Sequence, residues 1–342
     1  MNNRGPLEVD YCTLDDLAVC RAQGWMDILG LTIFSIDDVR VDTGNLPVAH
    51  VKMAPLGNTG ALCEVWRAQG PFRTGQMGHV QYRASDNFVF GCIDLTEPST
   101  AGGRHPDPTL SMITEQAYTE LFRCIEFLGF PHLVRIWNHL PEINCEADGL
   151  ERYRQFNEAR QRSFLAFRAG VAGNVPAACA LGSPQETSLV VYFLAGKETG
   201  TAIENPRQIS SWDYPAEYGA FSPMFSRAIL AKSSNEAVLL VSGTASIVGH
   251  QTVHANRVLD QARETASNLC ALVAEVNRKS GQKVFSTQQL QYKVYVRHRE
   301  DYEVVAQELQ RTLRPSVSPV FLQADICRSD LLVEVEAVGL PC

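Results

Sequence analysis

The sequence predicts an α+β protein of two pseudo-repeated halves, with mostly antiparallel sheets, helices packed on one face of each sheet and a cleft between the halves. Two observations support this fold class. Strand-like runs alternate with amphipathic helical segments along the chain. The same order of segments also occurs twice, at an interval of roughly 140 to 160 residues, which is longer than solenoid repeats and indicates domain duplication.

The composition is that of a folded protein that stays in the cytoplasm. Of the 342 residues, 45% are hydrophobic, which is enough to fill the cores of two moderate domains. Residues 1–10 are polar, and no stretch approaches the ~20 apolar residues that a membrane helix needs. The net charge of -8 and the absence of a basic run argue against nucleic acid as a partner.

Cysteine and histidine usage gives no sign of a metal or disulfide framework. The ten cysteines are widely scattered, and no C-x-x-C pair occurs. The eight histidines form neither an H-E-x-x-H motif nor a close cluster with cysteine. We therefore expect reduced core thiols, no metal site and no organic cofactor.

The second half has the clearer pattern. Apolar residues that include Val258, Ala262, Leu269 and Val276 recur at helical spacing, which predicts a long helix. The predicted elements are strands at 228–231 and 237–248, a helix over 252–276, a strand at 291–297, a helix over 301–313 and a strand at 331–338.

The first half repeats this order less distinctly. Its predicted elements are a hairpin at 80–90, a helix over 114–130, a strand at 132–137, a helix over 149–167 and a strand at 189–195. Residues 196–223, rich in Gly, Pro and Tyr, are predicted to join the halves. We place the halves at 1–198 and 199–342, and a cleft between them is a favoured place for a small ligand.

Two sets of motifs carry a family resemblance. The second half resembles the reactive-intermediate deaminase (RidA/YjgF-like) fold in FSRA at 225–228, VSGTA at 241–245, KVYVR at 293–297 and VEVEA at 333–337. RIWNHLP at 135–141, followed by GLERYRQF at 149–156, is similar to the chorismatases, which fuse two such units. This resemblance implies an enzyme that removes the enolpyruvyl group of chorismate as pyruvate and leaves a hydroxybenzoate.

The resemblance places the catalytic acid at Glu334. In the last predicted strand, Glu334 and Glu336 share one face, where partial burial raises the pKa of a carboxyl group and suits it to general acid catalysis. Aligning the halves sets Val191 and Phe193 opposite these two glutamates. The acid therefore belongs to the second half alone, and we expect one active site per chain, with Glu336 as a further substrate-binding residue.

Binding of the substrate carboxylates is assigned by resemblance to Tyr153 and Arg160, with Arg297 reaching the same cleft. Tyr153 and Arg160 lie seven residues apart, so two helical turns bring them to one side of their helix. Arginine forks and phenolic donors suit carboxylates. Spacing alone would favour a surface ion pair of Arg160 with an acid such as Glu158.

Several further residues complete the expected pocket. The hydroxybenzoate-forming chorismatases have cysteine where this chain has Cys327, so the resemblance makes Cys327 a second catalytic residue, whose thiol either reacts or only shapes the pocket. It implies 3-hydroxybenzoate as product and leaves accompanying 4-hydroxybenzoate open. Either Tyr214 or Tyr218 is expected to donate a hydrogen bond to the substrate. The family lines its pocket at Gly243, Thr244 and Ala245. His254 and His298 receive no role.

Three other functions remain open at this level. An imine or enamine hydrolase of the deaminase type would need an arginine eight residues before the first glutamate of the strand. That position is Ile326, although a small gap would bring Arg328 there. A non-catalytic module that binds an aromatic acid and a chorismatase that yields the dihydroxycyclohexadiene carboxylate are the others. A monomer is expected, because fusion of two units can replace part of a trimer interface.

Overall fold

The structure is a computed structural model, and it describes residues 5–22, 25–57, 60–98, 109–147, 149–167, 175–185, 187–233, 236–281 and 284–340. Within these residues the main elements are three sheets, of four, seven and seven strands. None of the helices in the described ranges is long and apolar enough to cross a membrane. The α+β class predicted from the sequence is confirmed.

The N-terminal segment builds a small sheet of its own. Its elements are β1 (Leu7–Cys12), α1 (Leu14–Ala22), β2 (Ile28–Phe34), β3 (Val48–Val51), β4 (Ala54–Leu56) and β5 (Leu62–Ala68). The four strands of this N-terminal sheet lie in the order β1-β5-β2-β3. None of these elements was predicted from the sequence. Strand β2 is buried along its whole length, so it lacks the alternation that reveals a half-exposed strand.

The first large sheet follows. Its segment contains β6 (Arg73–Met77), β7 (Val80–Ala84), β8 (Phe88–Leu95), α2 (Thr109–Leu128), β9 (His132–Pro141), β10 (Glu146–Ala147), β11 (Leu150–Glu151), α3 (Arg152–Ala166), β12 (Ala177–Ser183) and β13 (Leu189–Gly196). Strand β12 was not predicted. Its sequence, AACALGS, is rich in small residues and lacks the β-branched and aromatic side chains that mark strands.

The second large sheet belongs to the remaining residues. They form β14 (Thr201–Ile203), β15 (Ala228–Ser233), β16 (Glu236–Ala245), β17 (Ile247–Val248), β18 (Gln251–Thr252), α4 (Val258–Ser280), β19 (Gln291–Val296), α5 (Tyr302–Leu313), β20 (Val320–Gln323), β21 (Asp325–Ile326) and β22 (Val333–Gly339). Helix α4 ends at Gly281, whose left-handed backbone (φ 70°) is the usual stop for a helix.

The strand order confirms the internal repeat. The first sheet contains the order β12-β9-β13-β8-β7, and the second contains the equivalent order β20-β19-β22-β16-β15. In both orders the first two strands, β12 with β9 and β20 with β19, are parallel. The middle strands, β13 and β22, are antiparallel to both of their neighbours. Strand β4 closes the edge of the second sheet, and β21 closes the edge of the first. One edge of each large sheet is therefore closed by a strand from another segment of the chain.

The predicted register between the halves was wrong by one residue. Val191 and Phe193 pack in the core beneath the helices of the first half, whereas Val190 and Tyr192 face the core between the sheets. Because side chains alternate across a strand, a slip of one residue turns each of them to the other face. The residues that share the face of Glu334 and Glu336 in the equivalent strand are thus Val190 and Tyr192. Neither is acidic.

Candidate active site

A cavity of about 250 Å³ opens between the two halves. It is bounded by α3, by the connecting segment before β15, by the end of β16 and by the loop that leads into β22. Seven of the ten site residues predicted from the sequence line it, namely Tyr153, Tyr214, Tyr218, Gly243, Ala245, Cys327 and Glu334. The fold therefore gathers into one cavity residues that lie up to 181 positions apart in the chain.

Glu334 is a buried acid at the cavity wall. It is 4% exposed, and among the described residues its Oε1 has no hydrogen-bond partner. Burial raises the pKa of Glu334 to about 8, Glu336 acts in the same direction, and Arg135 offsets part of the effect. At neutral pH this side chain is a carboxylic acid that can donate a proton into the cavity.

The acid approaches the backbone of the neighbouring strand at Gly243. A Cβ atom at this position would lie 2.0 Å from Glu334 Oε1 and 3.2 Å from Cys179 Cβ. The pairing of β16 with β22 also shifts register between Val241 and Thr244, which is a bulge beside the acid. A glycine is needed here because any side chain would displace the carboxyl group of Glu334.

Glu336 lies behind the cavity and not in its lining. Its carboxylate contacts Lys293 Nζ at 2.7 Å, Trp137 Nε1 at 2.9 Å, Tyr295 Oη at 2.8 Å, and the Arg135 guanidinium. Burial alone would raise the pKa of Glu336, but Lys293 and Arg135 lower it to about 2. The structure thus does not bring Glu336 to the position of a substrate ligand.

Cys327 and Tyr153 are neighbours in the cavity lining. Burial raises the pKa of Cys327 to about 12, reinforced by Glu334, so that this side chain is a neutral thiol. The pKa of Tyr153 is raised above its ordinary range by burial and then by Cys327, so its hydroxyl also keeps its proton. Both groups offer a polar hydrogen without adding charge to the cavity.

Two tyrosines of the connecting segment cover the cavity together. The Arg328 guanidinium lies 4.1 Å from the ring centroid of Tyr218 and 5.4 Å from that of Tyr214. Arg227 Nη2 donates to Tyr214 Oη at 2.8 Å, and Tyr218 Oη lies 3.2 Å from His250 Nδ1. The sequence left open which tyrosine reaches the site, and the structure places both there.

The two predicted arginines, Arg160 and Arg297, do not line the cavity. Arg160 is 3% exposed and donates to the carbonyl of Met224 at 2.7 Å. It is therefore not the surface ion pair that spacing favoured. Arg297 donates to the carbonyls of Leu331 at 2.8 Å, Ile326 at 3.0 Å and Arg328 at 2.9 Å. Its guanidinium holds the loop that carries Cys327 in place.

The cavity has other cations, which were not predicted from the sequence. Arg154, Arg227 and Arg328 line it. Arg227 is 4% exposed, and its Nε is buried without a hydrogen-bond partner among the described residues, which is unusual for a buried donor. Arg227 lies in the FSRA motif and Arg154 lies one residue after Tyr153, so both were adjacent to a recognised signal.

Several known proteins are similar to this chain over most of its length. Residues 64–195 match the family model described as chorismatase FkbO/Hyg5-like, N-terminal. The chain is 31% identical to a chorismatase of Streptomyces rapamycinicus, over 97% of this chain and 98% of that protein. It is 33% identical to a 3-hydroxybenzoate synthase of Streptomyces hygroscopicus, over 81% of each. A crystal structure of a chorismatase matches with a TM-score of 0.84 and 30% identity, covering 98% of both chains.

Proposed function

Because this chain belongs to the chorismatase family of enzymes, we propose that it converts chorismate to pyruvate and 3-hydroxybenzoate, with Glu334 as the catalytic acid. The observation that carries the proposal is the environment of Glu334. A carboxyl group with a raised pKa and an unbonded oxygen borders a cavity that also holds three arginines. These are the groups needed to bind a dianion and to protonate it.

The arginines and tyrosines suit the two carboxylates of chorismate. Arg227 and Arg328 already share contacts with Tyr214, so the three side chains form one rigid donor surface. A guanidinium can bind a carboxylate with two parallel hydrogen bonds. We assign one carboxylate to this surface and the other to Tyr153 and Arg154 on α3, which also line the cavity. Arg160 ties the same helix to the carbonyl of Met224.

The reaction begins with proton transfer from Glu334. Its acidic proton goes to the methylene carbon of the enolpyruvyl group, which becomes the methyl group of pyruvate and leaves an oxocarbenium-like cation. The carboxylate formed on Glu334 lies in a buried site, where its negative charge stabilises that cation more strongly than it would in water. Burial of Glu334 therefore favours its protonated form before the transfer and strengthens its attraction for the cation afterwards.

Intramolecular capture completes the reaction. The ring hydroxyl displaces the pyruvate fragment through an arene-oxide-like intermediate, which opens and becomes aromatic. Chorismate has the same atoms as pyruvate and 3-hydroxybenzoate together, so no water is consumed and the last proton returns to Glu334. The neutral thiol of Cys327 and the hydroxyl of Tyr153 occupy the wall where a hydrolase would have to admit water. Formation of 4-hydroxybenzoate would be a second opening of the same intermediate.

The test is a product assay. Purified protein treated with EDTA is incubated with chorismate, pyruvate is quantified, and the aromatic products are separated by chromatography. We expect equal amounts of pyruvate and 3-hydroxybenzoate. Pyruvate together with the dihydroxycyclohexadiene carboxylate would identify a hydrolase instead. Intact chorismate would overturn the proposal and favour an imine hydrolase or a binding module.

A further inference from the structure

Four charged side chains are buried behind Glu334, on the side away from the cavity. Glu64, Arg135, Lys293 and Glu336 are each at most 4% exposed. Lys293 bridges the two acids, contacting Glu64 and, at 2.7 Å, Glu336, and Arg135 contacts Glu336. Two cations face two anions, so this buried cluster carries no net charge.

The buried cluster is assembled from all three sheets. Glu64 lies on β5 of the N-terminal sheet, Arg135 on β9 of the first large sheet, and Lys293 and Glu336 on β19 and β22 of the second. Glu64 also accepts a hydrogen bond from Trp66 Nε1 at 2.9 Å, which fixes its carboxylate within the core. Removing ions from water is costly unless they are paired, so each member depends on the others.

Two members of the buried cluster, Glu336 and Arg135, act on the ionisation of Glu334. Glu336 is two residues from Glu334 on the same face of β22, and no cation contacts the Glu334 carboxyl group among the described residues. Cys179 on β12 also lies close to Glu334. The other titratable or charged side chains of the described residues that line the cavity with Glu334 are Glu151, Tyr153, Arg154, Tyr214, Tyr218, Arg227, Cys327, Arg328 and Asp330.

These other groups do not determine whether Glu334 is ionised, so its ionisation depends on the charge of the buried cluster. Burial raises the pKa of Cys179, and both Cys327 and Tyr153 also remain protonated, so none of the three carries charge at neutral pH. Arg154, Arg227 and Arg328 are the same in every variant compared below, so they do not account for a difference in the pKa of Glu334 between variants. A surplus positive charge in the cluster would then favour the ionised form of Glu334, in which it cannot act as an acid.

We propose that Glu64 is a positioning residue for the catalytic acid, because it neutralises Lys293 and so keeps the buried cluster free of the surplus positive charge that would ionise Glu334. This inference rests on the proposed function, in which Glu334 donates the proton. It gives the N-terminal sheet, which lies outside the internal repeat, a part in the reaction.

The experiment compares pH profiles of kcat/KM for pyruvate release. Glu64→Gln retains the acceptor for Trp66 but leaves one surplus positive charge. We expect the alkaline limb of its profile to move to lower pH by about half a unit or more. Lys293→Met leaves a surplus negative charge and moves the limb to higher pH. The double variant Glu64→Gln/Lys293→Met restores charge balance and returns the limb to its wild-type position.

The control is Glu308→Gln, which removes another buried carboxylate. Glu308 is 5% exposed and pairs with Arg263 and Arg311 on the helical side of the second half, so its loss should leave the profile unchanged. If Glu64 had only a structural role, the double variant would have a lower kcat/KM than either single variant. This result would overturn the inference. If Glu64→Gln does not fold, the inference is tested by the other two variants. The alkaline limb should move to higher pH in Lys293→Met and return to the wild-type position in the double variant. A wild-type protein that releases no pyruvate would refute the proposed function instead.

Discussion

Glu334 and Glu336 lie two residues apart on one face of β22, both 4% exposed, yet their pKa values are displaced in opposite directions. The pKa of Glu334 rises to about 8 because it is buried without a cation partner, whereas that of Glu336 falls to about 2 because Lys293 and Arg135 offset its burial. One carboxyl group is thus kept as an acid and its neighbour as an anion. This separation makes Glu334 the candidate proton donor.

Replacement of Glu334 by glutamine should abolish pyruvate release. Glu334→Gln keeps the volume of the side chain but has no proton of suitable acidity, and loss of a general acid typically costs about 10²- to 10⁴-fold in rate. The measurement is steady-state pyruvate release, with circular dichroism to verify folding. Glu308→Gln, a carboxylate far from the cavity, is the matched control. Wild-type turnover by Glu334→Gln would remove this residue from the mechanism.

The pH profile should fall on the alkaline side. Since the reaction needs protonated Glu334, whose pKa is about 8, kcat/KM should be flat near neutrality and decrease about tenfold per unit above that value. The same raised pKa affects stability. The unfolded chain ionises Glu334 near its ordinary pKa of 4.5, so this group contributes stability below that pH, which is lost as pH rises through about 8. Urea unfolding should show a flatter pH dependence for Glu334→Gln than for wild type.

A methyl group at position 243 should inactivate the enzyme. In Gly243→Ala the new Cβ would meet Glu334 Oε1 at 2.0 Å and force the acid out of position, and we expect at least about a 10²-fold loss of kcat. Gly196→Ala, also in a strand, adds a Cβ with ordinary contacts of 3.4 Å or more and should retain activity. Equal activities of the two variants would show that the acid tolerates displacement.

The identity of residue 327 should control the product. Cys327→Ala removes the thiol and opens space for water beside the substrate, so we expect the dihydroxycyclohexadiene carboxylate to appear while pyruvate release continues. Cys179→Ala, which removes another buried thiol close to Glu334, serves as the comparison. Product chromatography separates the outcomes. An unchanged product mixture from Cys327→Ala would reduce its role to core packing.

Arg328 should contribute to substrate affinity more than to the chemical step. Its guanidinium stacks on Tyr218 at 4.1 Å and borders the cavity, so Arg328→Met should raise KM about tenfold or more while kcat changes less. Arg299→Met, a change of an arginine outside the cavity lining, is the control. A large loss of kcat at unchanged KM would instead place Arg328 at the reacting atoms.

Recognisable motifs in the sequence indicated much of the candidate site. Glu334 and Glu336 alternate with apolar residues, and this pattern indicated a buried strand with acids on one face. The GLERYRQF stretch likewise indicated a pocket helix with Tyr153. Hairpins, helices and the repeat were readable because local periodicity reflects which face of each element is buried.

Other features depended on contacts between distant segments. Arg160 and Arg297 match the family pattern in sequence, but their guanidiniums bind backbone carbonyls, and Arg154, Arg227 and Arg328 line the cavity instead. The side chain of an arginine is long enough to reach a cavity or to turn away from it. Its direction depends on neighbouring segments that the local sequence does not specify.

By itself, the sequence determined the α+β class, the duplication and the identity of the acid-bearing strand, because these follow from local patterns and recognisable motifs. Only the tertiary structure decided which face each strand presents and which charges meet. Val190 and Tyr192 replaced Val191 and Phe193 as counterparts of the two glutamates after a one-residue change of register. Lys293 and Glu64, 229 positions apart, meet in the core because three sheets pack together there. The charge balance beneath the acid is therefore a property of the fold.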